Sequence, residues 1–191
     1  MQIMQSLFYG ENETMANSQK VQLKTMQDIL TLYPEAFDAE GNINLSNRPE
    51  IIELPLNMEV VRDLNIDGCT GLRALPEGLV VGQRLNARGC TSLKSLPNNF
   101  ELPGTLILSG CTGITELPVG LDVEGGIYLD GCISLRSIPN DTRFGEILEL
   151  TGCEGIEIPQ DLLQKYAGFI VVPEGDYTVA PSEYPEREFS A

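Results

Sequence analysis

The five cysteines of this 191-residue chain are the residues that most invite a chemical role, because they recur at a fixed interval of 21 residues. Evenly spaced cysteines can serve as thiol nucleophiles, as metal ligands or as disulfide partners. Each of these roles has a requirement that the rest of the sequence either meets or fails to meet. The cysteines are Cys69, Cys90, Cys111, Cys132 and Cys153.

The sequence does not supply what reactive cysteines need. It contains no histidine, so the usual Cys-His activation of a nucleophile is excluded. Cysteines one repeat apart form a row along a stack, whereas zinc requires a tetrahedron of ligands. In-register side chains on adjacent strands lie about 4.8 Å apart, and a disulfide needs roughly 3.5–4.5 Å between Cβ atoms. We therefore predict buried free thiols that donate weak S–H hydrogen bonds to backbone carbonyls, with no catalytic residue, metal or cofactor.

The interval of the cysteines is the period of a repeat that covers most of the chain. Successive units read LNIDGCTGLRALP, LNARGCTSLKSLP, LILSGCTGITELP and IYLDGCISLRSIP, followed by LELTGCEGIEIP with one residue deleted. An earlier unit, INLSNRPEIIELP, keeps the apolar positions without the Gly-Cys pair. Each unit opens with an apolar-x-apolar strand signature. The glycine before each cysteine predicts positive φ or close stacking where the chain leaves the strand.

Stacking the units aligns four apolar columns, which begin at Ile43, Leu45, Ile51 and Leu54. A single turn cannot bury these residues, but several stacked turns can. The pattern predicts an α/β solenoid with six repeats over residues 42–166 and one parallel β-sheet. Because 21 residues leave too little chain for a helix on the far side, and the Leu-Pro step fixes an extended path, we expect that side to be mostly irregular or polyproline-like.

The pattern LxLxGCTxLxxLPxxL resembles a leucine-rich repeat that has Cys where many members of the class have Asn. The short unit ending in Leu-Pro is similar to the bacterial LPX subclass of secreted effectors, which includes the repeat domains of ubiquitin-ligase effectors. The Gly-Cys-Thr step is also similar to repeats of plant immune receptors. The resemblance covers about 120 of the 191 residues. It implies that the parallel sheet forms a concave face and that a helical cap precedes the first repeat.

The segments outside the repeats are predicted to form a flexible end, two caps and a tail. Residues 1–17 show no sustained period and are predicted to be flexible. Residues 18–41 have apolar residues at helical spacing, which predicts a helical N-terminal cap or, alternatively, an independent partner-binding helix. Residues 167–191 predict a C-terminal cap strand at 169–172, which closes the sheet edge after a short helix, and then an acidic tail.

The formal net charge of −16, from 12 basic and 28 acidic residues, predicts a surface that repels nucleic acid and attracts a basic partner. The simpler interpretation is that the charge only keeps an elongated protein in solution. No apolar run is long enough to insert into a membrane, and Glu11 and Glu13 interrupt any Sec signal. With free thiols, we expect a reducing, cytoplasmic compartment, reached in a host cell by a non-Sec secretion system if the protein is an effector.

The residues between and beside the inward leucines point to the concave face, where we expect a protein partner to bind. They vary sharply from turn to turn, whereas the inward columns do not. Large groups beside basic residues are the expected anchors; the alternative is that neighbouring exposed side chains only cover one another. The predicted binding residues are Asp63, Asn65, Asp67, Arg84, Asn86, Arg88, Ile107, Ser109, Tyr128, Asp130 and Glu149.

From these features we expect a non-enzymatic protein-protein interaction module, and the resemblance implies a bacterial secreted effector that binds a host protein. One alternative is the substrate-recognition part of an enzyme such as a ubiquitin-ligase effector. Only about 25 residues follow Tyr166, so the large helical catalytic domain of such ligases is not expected in this chain. A second alternative is an acidic inhibitor or decoy of a basic partner.

Overall fold

The computed structural model describes residues 20–182, so the predicted flexible segment 1–17 and the end of the predicted tail lie outside the described residues. The helical elements are α1 (Met26–Leu32), a 3-10 turn (Pro34–Ala36) and α2 (Gln160–Lys165). The strands, in chain order, are β1 (Val21–Gln22), β2 (Ile43–Asn44), β3 (Ile51–Glu53), β4 (Glu59–Val60), β5 (Leu64–Asn65), β6 (Val80–Val81), β7 (Leu85–Asn86), β8 (Glu101–Leu102), β9 (Leu106–Ile107), β10 (Asp122–Val123), β11 (Ile127–Tyr128), β12 (Arg143–Phe144), β13 (Leu148–Glu149), β14 (Glu157–Pro159), β15 (Ile170–Val171) and β16 (Thr178–Ala180).

The chain winds into a parallel β-solenoid of about seven turns whose main sheet has seven strands in the order β2-β5-β7-β9-β11-β13-β15. The register pairs the same position of successive turns, beginning with Ile43 beside Leu64. The repeat and its parallel sheet are therefore confirmed. The sequence predicted six repeats, and the seventh strand of the sheet, β15, lies within the segment where a closing strand was predicted.

The sides of the solenoid away from the main sheet are more regular than the predicted irregular or polyproline-like path. Strands β4 and β6 pair there in parallel, and β8, β10 and β12 form a three-stranded parallel sheet. In each of these strands an exposed or half-buried residue precedes a buried one, as with Val80 and Val81. The backbone N–H of Gly82 donates to the carbonyl of Val60 in the preceding turn at 3.0 Å. Ladder hydrogen bonds satisfy this backbone better than an isolated polyproline-like chain would.

The core consists of columns of equivalent residues from successive turns. No member of the four predicted columns is more than 6% exposed. Two further buried columns were not predicted, because their residue types change more from turn to turn. One contains Val60, Val81, Leu102, Val123 and Phe144. The other contains Met58, Leu79, Phe100, Leu121 and Thr142.

Helix α1 precedes the first turn of the solenoid. Thr25 caps it by accepting a hydrogen bond from the Asp28 backbone N–H, and the Asp28 carboxylate accepts in return from the Thr25 N–H. Ile29 and Tyr33 are buried in the same hydrophobic core as the repeats. No helix within residues 20–182 is long and apolar enough to cross a lipid bilayer.

Candidate interaction surface

The cysteines form a buried row in which every thiol has the same hydrogen bond. Each Sγ donates to the backbone carbonyl of the residue 24 positions earlier, at 3.0–3.2 Å. For example, Cys111 Sγ donates to the carbonyl of Ala87 at 3.0 Å. All five are free, so the predicted burial and S–H hydrogen bonding are confirmed.

Burial keeps these thiols protonated. Desolvation raises the pKa of Cys69 and Cys153 to about 11 and the pKa of Cys111 and Cys132 to about 12, and it also raises the pKa of Cys90. A nucleophile or a metal ligand is a thiolate, which burial in apolar surroundings disfavours. The cysteine row therefore acts as packing that links each turn to the one before it.

The bend before each cysteine has the backbone conformation that the sequence predicted. Gly68, Gly89, Gly110, Gly131 and Gly152 all have positive φ, between 66° and 77°. Asn47 takes the equivalent place in the first turn with a φ of 57°, since Asn tolerates the left-handed region better than most residues. This repeated bend aims each strand of the main sheet in the same direction.

The side chains that alternate with the buried columns of the main sheet form its outward surface, which we call the outer sheet face. Its central column lies in register across adjacent strands, and two further columns flank it. The structure therefore brings the eleven predicted binding residues together on one surface. The central column runs Asn65, Asn86, Ile107, Tyr128 and Glu149, and the flanking columns run Asp63, Arg84, Thr105, Gly126, Ile147 and Asp67, Arg88, Ser109, Asp130, Thr151.

Most of the acidic groups on the outer sheet face are held by donors of the protein itself. Asp63 Oδ1 accepts from the backbone N–H of Arg84 at 3.0 Å. The hydroxyl of Ser109, which is only 8% exposed, donates to Asp130 Oδ1 at 2.5 Å. Glu149 Oε1 accepts from both the backbone N–H and the hydroxyl of one residue, Thr151. Each of these carboxylates therefore already has a hydrogen-bond donor before any partner arrives.

The two arginines of this face, Arg84 and Arg88, differ from the acids in having no partner. Both are exposed, and neither guanidinium has a hydrogen bond or an ion pair within residues 20–182. Between Arg84 and Arg88 stands Asn86, whose Nδ2 donates to Asn65 Oδ1 at 3.1 Å. Its Oδ1 accepts from the backbone N–H of Arg88 at 3.2 Å. The backbone that carries the arginines is therefore fixed while their charged ends remain open to solvent.

An apolar patch lies beside the arginine turn. It consists of Ile107, Tyr128 and Ile147, all half-buried. The Tyr128 ring occupies space that Gly126 leaves open: a Cβ at Gly126 would lie 3.0 Å from Tyr128 Cε2 and 3.1 Å from Ile147 Cγ2. Ile147 was not among the predicted binding residues, although an isoleucine in an otherwise polar or glycine column was a signal that could have identified it.

A groove lies on the Leu-Pro side of the first three turns. This groove has a volume of about 670 Å³ and adjoins β1. Its lining includes Leu54, Leu56, Leu75 and Pro76 together with Arg73. It was not predicted from the sequence, because it depends on how β1 packs against the first turn.

Within residues 20–182, no cluster of three or more His, Cys, Asp or Glu side chains is arranged to hold a metal ion. No protein-family model, curated protein or solved structure matches the chain. Fold and surface together define its class as a parallel β-solenoid with a repeat of about 21 residues, a packing pattern inside that recurs from turn to turn, and an outer sheet face that varies between turns.

Proposed function

We propose that this chain is a leucine-rich-repeat protein of the LPX type, with α1 as its N-terminal helical cap, and that it is a non-enzymatic module that binds another protein through the outer sheet face. The observation that carries the proposal is the contrast between the two sides of the main sheet. Inward positions hold Leu, Ile or Ala in the first six turns, whereas the outward position changes from Asn86 to Ile107 to Tyr128 in three successive turns. Packing alone needs the first pattern and does not produce the second.

The outer sheet face has the composition of a binding surface. Tyr and Arg are the residue types that most often dominate interface energetics, and here Tyr128 stands two strands from Arg88. Side chains on two-residue strands held by ladder hydrogen bonds are preorganised, so binding does not have to order them. The apolar patch supplies contact area, and the surrounding polar side chains form a rim.

A non-enzymatic role is supported by the state of the cysteines. Their thiols are buried, hydrogen-bonded and protonated at neutral pH, so they are poor nucleophiles. Free thiols also fit a reducing, cytoplasmic compartment. On the resemblance to LPX repeats, we propose that the protein is a bacterial secreted effector that enters a host cytoplasm by a non-Sec route.

Quantitative affinity capture tests this function. The double variant Tyr128→Ala/Arg88→Ala is compared with the wild type on candidate host and bacterial lysates, with mass spectrometry as the readout. The matched control is Val119→Ala/Arg136→Ala, which removes an exposed apolar group and an arginine away from the outer sheet face. Circular dichroism verifies that both variants fold.

We expect a partner whose recovery falls at least tenfold with the outer-face variant and less than twofold with the control. Equal recovery by all three proteins would reject the outer sheet face as the binding surface. A partner that all three proteins lose at high salt would instead favour an acidic decoy that acts through net charge.

A further inference from the structure

We propose that the partner presents an acidic segment to the outer sheet face, with two carboxylates for Arg84 and Arg88 and an apolar side chain between them for Ile107 and Tyr128. This inference rests on the proposed function and specifies the chemistry of the partner. It is the opposite of what the net charge of −16 predicts by itself. The reason is that local hydrogen-bonding capacity, and not total charge, selects a bound group.

Two cations of the outer sheet face are still available to a ligand. Arg84 and Arg88 each present an unpaired guanidinium within residues 20–182, and each guanidinium has five N–H donors that match carboxylate geometry. Their neighbours in the preceding turn, Asp63 and Asp67, form no salt bridge with them, since Asp63 is turned to the Arg84 backbone N–H. The donors of two adjacent cations are therefore left for a ligand.

The acids of the outer sheet face, which a basic partner would need, are mostly occupied. Asp63, Asp130 and Glu149 already accept hydrogen bonds from the protein. A cation that approached one of these carboxylates would have to displace the existing donor or share the carboxylate with it. Asp67 is the one acid of the flanking columns whose carboxylate accepts no hydrogen bond within residues 20–182. The flanking columns thus offer one carboxylate without a hydrogen bond and two guanidinium groups without one. This balance favours an acidic ligand.

The spacing of the two arginines determines which ligand fits them. Arg84 directly precedes strand β7 and Arg88 begins the turn that follows it. The backbone carbonyls of Arg84, Asn86 and Arg88 all accept hydrogen bonds from the preceding turn, which places the three side chains on the same side. The two arginines are four positions apart, roughly 13 Å along an extended backbone. A partner segment extended along β7 presents positions i, i+2 and i+4 with the same spacing. Acids at i and i+4 then meet the arginines. A large apolar residue at i+2 stands over Asn86, from which Ile107 is one strand away, about 4.8 Å, and Tyr128 two strands, about 10 Å.

The geometry therefore defines a motif: acidic, any residue, aromatic or large aliphatic, any residue, acidic. The probe is a phage-displayed library of random 12-residue peptides selected on the immobilised full chain. We expect enriched peptides to carry this motif. Enrichment of basic peptides, or the absence of any enriched sequence, would overturn the proposal.

The enriched peptide is then synthesised and its Kd measured by fluorescence anisotropy. We expect Arg84→Gln/Arg88→Gln to weaken binding at least tenfold and Arg73→Gln/Arg136→Gln to change it less than twofold. The second variant removes the same two charges from exposed positions off the outer sheet face, so it controls for long-range electrostatics. Equal effects of the two variants would overturn the proposal.

The outcomes also separate this inference from the proposed function. A captured partner that depends on the outer sheet face but binds through a basic segment contradicts the acidic ligand and leaves the interaction module intact. Captured partners that are indifferent to Tyr128 and Arg88 contradict the function itself.

Discussion

The ring of Tyr128 rests beside Gly126, the residue that directly precedes β11, in the space that any larger residue would fill. Without this space the aromatic side chain could point into solvent. Because the space is open, the ring forms part of a half-buried apolar patch with Ile147. The patch therefore depends on a residue that has no side chain of its own.

Replacing that glycine is expected to move the tyrosine with little loss of stability. In Gly126→Ala, the new Cβ lies close to the free end of the Tyr128 ring and to one methyl group of Ile147, both of which can shift by a few tenths of an ångström. We expect the free energy of unfolding to fall by less than about 1 kcal/mol. The ring resonances of Tyr128 should move clearly in NMR spectra. Unchanged resonances would mean that the ring does not occupy this space.

The protein should lose stability at alkaline pH because its thiols are easier to ionise when unfolded. Burial raises the pKa of Cys69 to about 11 and that of Cys132 to about 12, against 9.0 for an ordinary cysteine thiol. The contribution of these thiols to the free energy of unfolding is complete below pH 9. Above pH 9 it declines by up to about 1.4 kcal/mol per pH unit for each thiol. Urea unfolding at pH 8, 9 and 10 measures this slope. In Cys132→Ala the free energy of unfolding should fall less steeply with pH. An identical slope would show that the buried thiol of Cys132 does not contribute to the alkaline loss of stability.

Two glycines on either side of β13, one in the fifth turn and one in the sixth, should respond differently to alanine. At Gly145 a Cβ would lie 1.9 Å from the carbonyl oxygen of Glu124, whereas at Gly155 nothing lies within 4 Å but φ is +71°. Gly145→Ala must move the backbone of two turns, and we expect it to reduce the free energy of unfolding by more than about 2 kcal/mol. Gly155→Ala suffers only left-handed strain, about 1 kcal/mol. Urea denaturation of both variants checks the order, and the reverse order would contradict the stacking described for Gly145.

Thr142 offers a stabilising substitution. It occupies the place that Met58, Leu79, Phe100 and Leu121 fill in earlier turns, and its buried hydroxyl has no hydrogen-bond partner within residues 20–182. Thr142→Val replaces that hydroxyl with a methyl group of similar size, and we expect a gain of about 1 kcal/mol. Thermal unfolding by calorimetry measures the effect. A lower melting temperature would show that the hydroxyl is satisfied.

The strictly repeated positions could be predicted from the sequence, because a residue that recurs in every turn has the same environment in every turn. Gly89 and Cys90 illustrate this: the positive φ and the S–H hydrogen bond followed from residue type and place. The buried columns through Phe100 and Phe144 were missed, since their members differ in size and type. Regular pairing on those sides reflects backbone hydrogen bonds, which carry no residue signature.

The open arginines could not have been predicted from the sequence. Asp63 and Arg84 are in register and of opposite charge, which from the sequence favours an ion pair across adjacent strands. In the structure the carboxylate of Asp63 turns to the Arg84 backbone N–H instead. The choice between two donors of one residue depends on side-chain geometry that only the folded backbone determines.

Site-specific photo-crosslinking tests most directly the central claim, that the outer sheet face binds a protein. A benzophenone amino acid is placed at Tyr128 in one protein and at Val119, an exposed residue off that face, in another, and both are irradiated in lysates of candidate host cells. We expect a discrete crosslinked partner from position 128 and none from position 119. The same products from both positions, or products from position 119 alone, would contradict it.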